Sequence, residues 1–139
     1  MSNIIELRKE MKTIMPEKSK IFMRSKGSIL HDFYNGCERI FKKIAMEING
    51  GYEESEKWHK SLLYKMTIPI KGVRPPVLSE ELAAELDEYL SFRHVFRNIY
   101  GFELKGERIA YLSKKFDKVV PKFIEEIKSF LAFLEKELL

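Results

Sequence analysis

The feature that most constrains this chain is an apolar stripe in its first third. Leu30, Phe33, Tyr34, Cys37, Ile40, Phe41, Ile44, Ala45 and Ile48 recur at spacings of three and four, which places them on one face of a helix turning roughly 100° per residue. A helix with one long apolar face must bury it against other elements. No segment alternates convincingly with period two, and no internal repeat is visible, so the partners are expected to be other helices. The spacing predicts a helix from about Glu17 to Asn49, ended by Gly50-Gly51 because glycine readily takes the left-handed cap conformation. Gly27 and Gly36 inside it cost about 1 kcal/mol each relative to alanine. They either permit close helix contacts or mark a kink.

The rest of the chain supplies the other helices. Ile4, Leu7, Met11 and Ile14 define a short amphipathic helix within residues 1–16, interrupted by Pro16, which opposes a helix interior. Ser55 can cap a short third helix containing Trp58, Leu62, Leu63 and Met66. From Thr67 to Leu78 the chain turns irregular, and Arg74-Pro75-Pro76 excludes helix there. Ser79 is placed to cap a fourth helix, with Glu80 and Glu81 in its first turn, where negative charge suits the helix dipole. That helix is expected to stop at Gly101, and a turn over 102–106 leads to a last helical region. Its apolar positions are Ile109, Leu112, Phe116, Val119 and Val120, then Phe123, Ile127, Phe130, Leu131 and Leu134. Pro121 either kinks one long helix or separates two. The expectation is an all-α antiparallel bundle of five or six helices in a single domain, 1–139.

With 139 residues the chain is long enough to bury a real core, and 45% apolar against 33% charged residues is too apolar for a largely disordered chain. It has no run of about 18 apolar residues, so no membrane span is expected. The N-terminus carries acids and lacks the apolar segment of a signal peptide. Cys37 is the only cysteine, which excludes an intramolecular disulfide and any multi-cysteine metal site. A cytoplasmic location follows as the default. The net charge of +4 permits nucleic-acid binding without demanding it, and seven basic against three acidic residues in positions 1–26 fit a solvated helix face.

Most catalytic signatures are absent: there is no phosphate-cradling glycine loop, no His-Glu-x-x-His and no Gly-x-Ser-x-Gly. The three histidines, His31, His59 and His94, lie in different segments and offer no metal-ligand spacing, so no metal or cofactor is expected. Cys37 belongs to the apolar stripe and reads as a small hydrophobe. Glu125, Glu126, Glu135 and Glu137, mixed with Lys122, Lys128 and Lys136, make an ion-paired solvated face.

One stretch does not fit a plain bundle, Ser91-Phe92-Arg93-His94-Val95-Phe96-Arg97-Asn98-Ile99-Tyr100-Gly101. Leu82, Leu86, Tyr89 and Leu90 line one helix face, and Arg93, Arg97 and Tyr100 continue it. Buried guanidinium groups are expensive unless paired. This face therefore meets an anionic partner, a buried carboxylate or another subunit. The set also contains what phosphodiester chemistry needs. Guanidinium forks grip phosphate and stabilise transition-state charge, and imidazole moves protons near neutral pH.

Arg93-His94-x-x-x-Asn98-x-Tyr100 is similar to the Arg-polar-x-x-x-His-x-Tyr motif of HEPN-domain ribonucleases, in particular HepT-like toxins. Leu30-His31-Asp32-Phe33-Tyr34-Asn35-Gly36, Trp58-His59 with Leu62-Leu63, Val73-Arg74-Pro75 and the stretch from Phe92 to Leu104 also resemble one HepT-like branch. The resemblance covers roughly residues 20–134. It implies a homodimer whose motif helices face each other across a cleft for RNA, cleaved without a metal by attack of the ribose 2′-hydroxyl. By position, Arg93 corresponds to the phosphate-contacting residue and His94 to its polar neighbour. Tyr100 corresponds to the tyrosine that a partner minimal nucleotidyltransferase, the antitoxin, modifies with AMP. Arg97, without a fixed role in the motif, is assigned to phosphate attraction. Asn98 stands where the motif has histidine, and its amide can orient a phosphate or 2′-hydroxyl but cannot transfer a proton.

Three functions stay open on these grounds. One is the toxin of a type VII-like toxin–antitoxin pair, an endoribonuclease with Arg93, His94 and Asn98 as its catalytic set. In it His94 substitutes for the missing histidine, or His31 or His59 lines the cleft and restores an acid/base group. The second keeps fold and partner but is catalytically weak or inactive, a helical module binding a nucleotidyltransferase or nucleic acid. The third is a structural dimer whose arginines pair with Glu85, Asp87 or Glu88, with His31 anchored by Asp32 and Trp58 in the core.

Overall fold

The computed structural model describes residues 1–13, 20–52, 57–98 and 106–138. Among them the chain forms five helices: α1 (Ser2–Thr13), α2 (Lys20–Glu47), α3 (Trp58–Lys65), α4 (Glu80–Asn98) and α5 (Gly106–Leu138). The only β pairing among the described residues is an isolated bridge between Ile70 and Arg74.

Helix α2 is central, packing on all four other helices, as its long stripe requires. Phe33 sits at the middle of the stripe with no exposed surface. It meets Tyr89 of α4 and Phe116 and Phe123 of α5 edge-on at 5.3, 5.0 and 6.1 Å between ring centroids, a favoured aromatic geometry. The Tyr89 hydroxyl donates to the Leu112 carbonyl at 2.8 Å, so its polar end is satisfied inside the core. Burial pushes the Tyr34 and Tyr89 phenols up from their ordinary value, helped by neighbouring Cys37 and Glu38 at Tyr34 and by Glu88 and Glu85 at Tyr89.

The two interior glycines of α2 permit close approach. A Cβ on Gly27 would lie 2.9 Å from Cε2 of Phe96 on α4, and one on Gly36 would lie 3.2 Å from Cγ1 of Ile4 on α1. The end of α2 is a glycine cap: Gly50 has φ +84°, and the Gly51 amide donates to the Ala45 carbonyl at 2.7 Å.

Ser79 caps α4 as expected, its hydroxyl accepting from the Leu82 amide at 3.1 Å. The same residue donates to the Glu126 carboxylate from its amide (2.6 Å) and hydroxyl (2.9 Å), which fixes the start of α4 against α5. At α3 the residue before the helix is Lys57, with no side-chain cap, and Ser55 lies outside the described residues. The other end of α3 is held by Arg74, whose guanidinium donates to the carbonyls of Lys65, Ile68 and Pro75 and to Asn49 Oδ1 at 2.9–3.2 Å. A cation at a helix C-terminus is favourable, and the same buried group ties α3 to the end of α2.

Pro121 does not divide the last region, since α5 runs through it. Phe116, Val119, Val120, Phe123, Ile127 and Phe130 are all buried while Pro121 is exposed. The apolar stripe therefore stays in phase across the proline, and tertiary burial outweighs the lost backbone bond. No described helix is long and apolar enough to cross a membrane.

Candidate functional site

The arginines of α4 face α2 and α3, and Asn35 of α2 accepts from both. Arg93 is 3% exposed and Glu38, on α2, is 4% exposed. The guanidinium donates from Nη1 to Glu38 Oε1 and from Nη2 to Glu38 Oε2, both at 3.2 Å, a two-pronged pairing. Nη1 also donates to Asn35 Oδ1 at 2.8 Å, and the group lies over the Tyr34 ring at 4.9 Å. Of the partners the spacing left open, an anionic ligand, a buried carboxylate or another subunit, Arg93 has a buried carboxylate, Glu38 of a neighbouring helix. Of the α4 acids the sequence offered, Asp87 is engaged with Tyr64 and Lys60, and Glu88 with Tyr111 and Lys115.

His59 of α3 completes this group. Its Nδ1 lies 2.8 Å from Glu38 Oε2. Ionised carboxylate oxygens only accept, so Nδ1 carries the proton and donates. Arg93 Nη2 comes within 3.0 Å of the same ring nitrogen because both groups donate to one oxygen. The imidazole is 36% exposed and among the described residues nothing hydrogen-bonds its Nε2.

Arg97, one turn further along α4, is exposed. Its Nε donates to His31 Nε2 at 3.0 Å and its Nη2 donates to Asn35 Oδ1 at 3.4 Å. A guanidinium cannot accept, so His31 Nε2 is unprotonated here and Nδ1 donates to Asp32 Oδ1 at 3.2 Å. The His31–Asp32 anchoring expected from the sequence is present. Asn35 bridges the two arginines, making one polar seam from Asp32 through His31, Arg97, Asn35, Arg93 and Glu38 to His59. The arginines differ in charge balance. Arg93 is neutralised by Glu38, whereas Arg97 has only uncharged acceptors among the described residues.

A cleft of about 380 Å³ opens beside the seam between α3 and α4. Lys57, Lys60, Arg93, Arg97, His59 and His94 line it against a single carboxylate, Asp87. His94 is exposed on this wall, and His31 stands behind Arg97 rather than on the wall. Asn98 is exposed, its Nδ2 donating to the His94 carbonyl at 2.7 Å within its own helix. Tyr100 lies outside the described residues. Trp58 is half-buried, stacked on Tyr52 at 5.4 Å with the Lys42 ammonium 4.7 Å from its ring centre.

Sequence reasoning missed Glu38 and Asn35. Glu38 carried a readable signal, since it falls between Tyr34 and Phe41 on the apolar stripe, just as Arg93 interrupts the stripe of α4. Asn35 carried none beyond its adjacency to His31 and Asp32 in the motif. Cys37 is fully enclosed, and burial pushes its thiol up, which suits a packing role.

Four helices packed around α2 among the described residues, with a charged seam where α2, α3 and α4 meet, describe an all-α HEPN-like bundle. A family model for HepT-like proteins matches residues 25–134, so the chain belongs to the HepT-like family. Proteins of this family are known from toxin–antitoxin pairs. Neither the curated proteins nor the solved structures offer a match.

Proposed function

We propose that this protein is the RNA-cleaving toxin of a HepT–nucleotidyltransferase pair, a metal-independent endoribonuclease that works as a homodimer. The observation that carries this reading is the cleft beside α4, where four cations and two histidines face one carboxylate and where Arg97 has no charged partner among the described residues. Such a wall suits a polyanion. Guanidinium forks bind phosphate oxygens and stabilise the charge that builds up during 2′-hydroxyl attack. In this reading Arg97 and the lysines grip the backbone, Arg93 holds the wall in shape, and His94 and Asn98 orient the substrate. Tyr100 receives AMP from the partner nucleotidyltransferase, which silences the toxin.

Expression in cells tests the reading. The wild-type chain should arrest growth, Arg97→Ala should relieve the arrest, and co-expression of a minimal nucleotidyltransferase should restore growth while adding one AMP to Tyr100. A wild-type chain that is harmless at high expression and leaves cellular RNA intact would argue for a different role.

Two observations favour a rival. Arg93 is committed to Glu38, and the Asn98 amide is turned onto its own helix. A module that holds RNA or a nucleotidyltransferase without cleaving would need no more. Tight binding of single-stranded RNA with no cleavage products would select that alternative.

A further inference from the structure

Resting on the ribonuclease reading, we propose that His59 is the proton-transferring residue of this site and that Glu38 positions it, supplying the function that Asn98 cannot. Among the imidazoles whose contacts the structure describes, His59 is the one with the required geometry. Its Nδ1 is fixed on a buried carboxylate at 2.8 Å, its Nε2 is unengaged among the described residues, and its ring lies on the wall of the cationic cleft. His31 has a carboxylate too, but its Nε2 is occupied by Arg97 and its side chain is only 17% exposed. His94 is on the wall, yet among the described residues no carboxylate fixes its ring.

A buried carboxylate on Nδ1 does two things for an imidazole base. It selects the tautomer whose Nε2 lone pair is available and fixes the ring in place. The Arg93 guanidinium, 3.0 Å from Nδ1 and paired with the same carboxylate, offsets part of the charge that would stabilise the imidazolium. Glu38 is itself held by both prongs of Arg93, so the ring it carries is fixed to α2 and α4 as well as to α3. In the reaction, His59 Nε2 takes the proton of a ribose 2′-hydroxyl as that oxygen bonds to the adjacent phosphorus. The bond from phosphorus to the 5′ oxygen of the next nucleotide breaks, and the leaving oxygen takes a proton from water in the open cleft. Products are a 2′,3′-cyclic phosphate and a 5′-hydroxyl, and the imidazolium returns its proton to solvent. Arg97 faces the non-bridging oxygens throughout. No oxidant, reductant or metal enters the balance.

The test uses the full chain, a labelled single-stranded RNA and excess chelator. We expect His59→Gln to lower the cleavage rate about 10²- to 10⁴-fold, to flatten the near-neutral limb of the pH–rate profile, and to leave RNA affinity within about threefold. Glu38 keeps Arg93 as its partner in that variant, so the fold should survive, with helix content and melting temperature as checks. His59→Gly should regain activity on addition of free imidazole, which a merely structural histidine would not show. Glu38→Gln should shift the pH profile as well as the rate. Wild-type cleavage with His59→Gln within threefold of it overturns the proposal while sparing the ribonuclease reading. Parallel loss of RNA affinity and rate in His59→Gln makes the residue a binding group and also overturns it. A wild-type chain that binds RNA but never cleaves it overturns both.

Discussion

Arg93 and Arg97 stand one turn apart on α4, and their environments make them opposite in kind. Deleting Arg93 leaves Glu38 buried without its cation, and stranding a buried charge costs about 3–5 kcal/mol. Deleting Arg97 removes an exposed group from uncharged acceptors, a change of about 0.5 kcal/mol or less. Urea unfolding should therefore show Arg93→Ala strongly destabilised, and Arg97→Ala close to wild type. Exchanging both members of the pair for apolar side chains of similar size, Arg93→Met with Glu38→Leu, should recover most of the loss, because a buried ion pair adds little over good packing. Equal stability of Arg93→Ala and Arg97→Ala would mean that Glu38 does not hold Arg93 in solution. It follows that loss of toxicity in Arg93→Ala reports folding as much as chemistry, and Arg97→Ala is the cleaner probe. At this scale the chain was half legible. Spacing placed Arg93 on an apolar face and left its partner open between an anionic ligand, a buried carboxylate and another subunit. Which of these it meets depends on the crossing of α2 and α4, which no local pattern encodes.

The crossing of α2 and α4 is set by a glycine. At Gly27 an added methyl would stand 2.9 Å from Phe96, whose ring already stacks on Phe92 at 5.6 Å and leans on His31 at 5.5 Å. Phe96 has little freedom to retreat, so Gly27→Ala should push α4 outward and disturb the ring that receives Arg97. Alanine gains about 1 kcal/mol of helix propensity, whereas overpacking costs about 1–3 kcal/mol. The net expectation is a melting temperature lowered by a few degrees and, on the proposed function, weaker RNA binding. Gly36→Ala meets only the Ile4 side chain, at 3.2 Å. That aliphatic group can shift by tenths of an ångström, so its melting temperature should be unchanged or slightly raised. A Gly27→Ala variant more stable than wild type would show that the helices do not need this approach. The helices themselves were legible because their stripes are long: α2 and α5 lie close to where spacing put them, and Ser79 caps α4 as its position suggested. Pro121 was ambiguous for a physical reason. Local sterics argue for a break, and only the phase of the flanking stripe, once packed, decides for continuity.

Over the whole molecule the excess charge is modest, +4 on 139 residues, and what matters is where it gathers. Composition made a nucleic-acid role permissible and no more. The bundle concentrates Lys57, Lys60, Arg93 and Arg97 on one cleft, from segments far apart in the chain. It also removes one of these from the electrostatic account, since Arg93 is neutralised by Glu38 before any ligand arrives. That subtraction has a measurable consequence. Each phosphate neutralised on a single strand contributes about −0.7 to the slope of log K against log salt. Lys60 is paired with Asp87 at 3.5 Å, so the cations of the cleft without a carboxylate partner among the described residues are Lys57 and Arg97. On the proposed RNA-binding reading these give a slope of about −1.4 per protomer, where four would give about −3. Arg97→Ala should reduce the slope by about 0.7 in magnitude, and replacing Arg93 in the apolar double variant should leave it unchanged. Titrations of a short single-stranded RNA from low to moderate salt read these slopes directly. If the Arg93→Met/Glu38→Leu protein loses a full contact from its slope while Arg97→Ala does not, the phosphate belongs to Arg93, and Glu38 must release it when RNA binds.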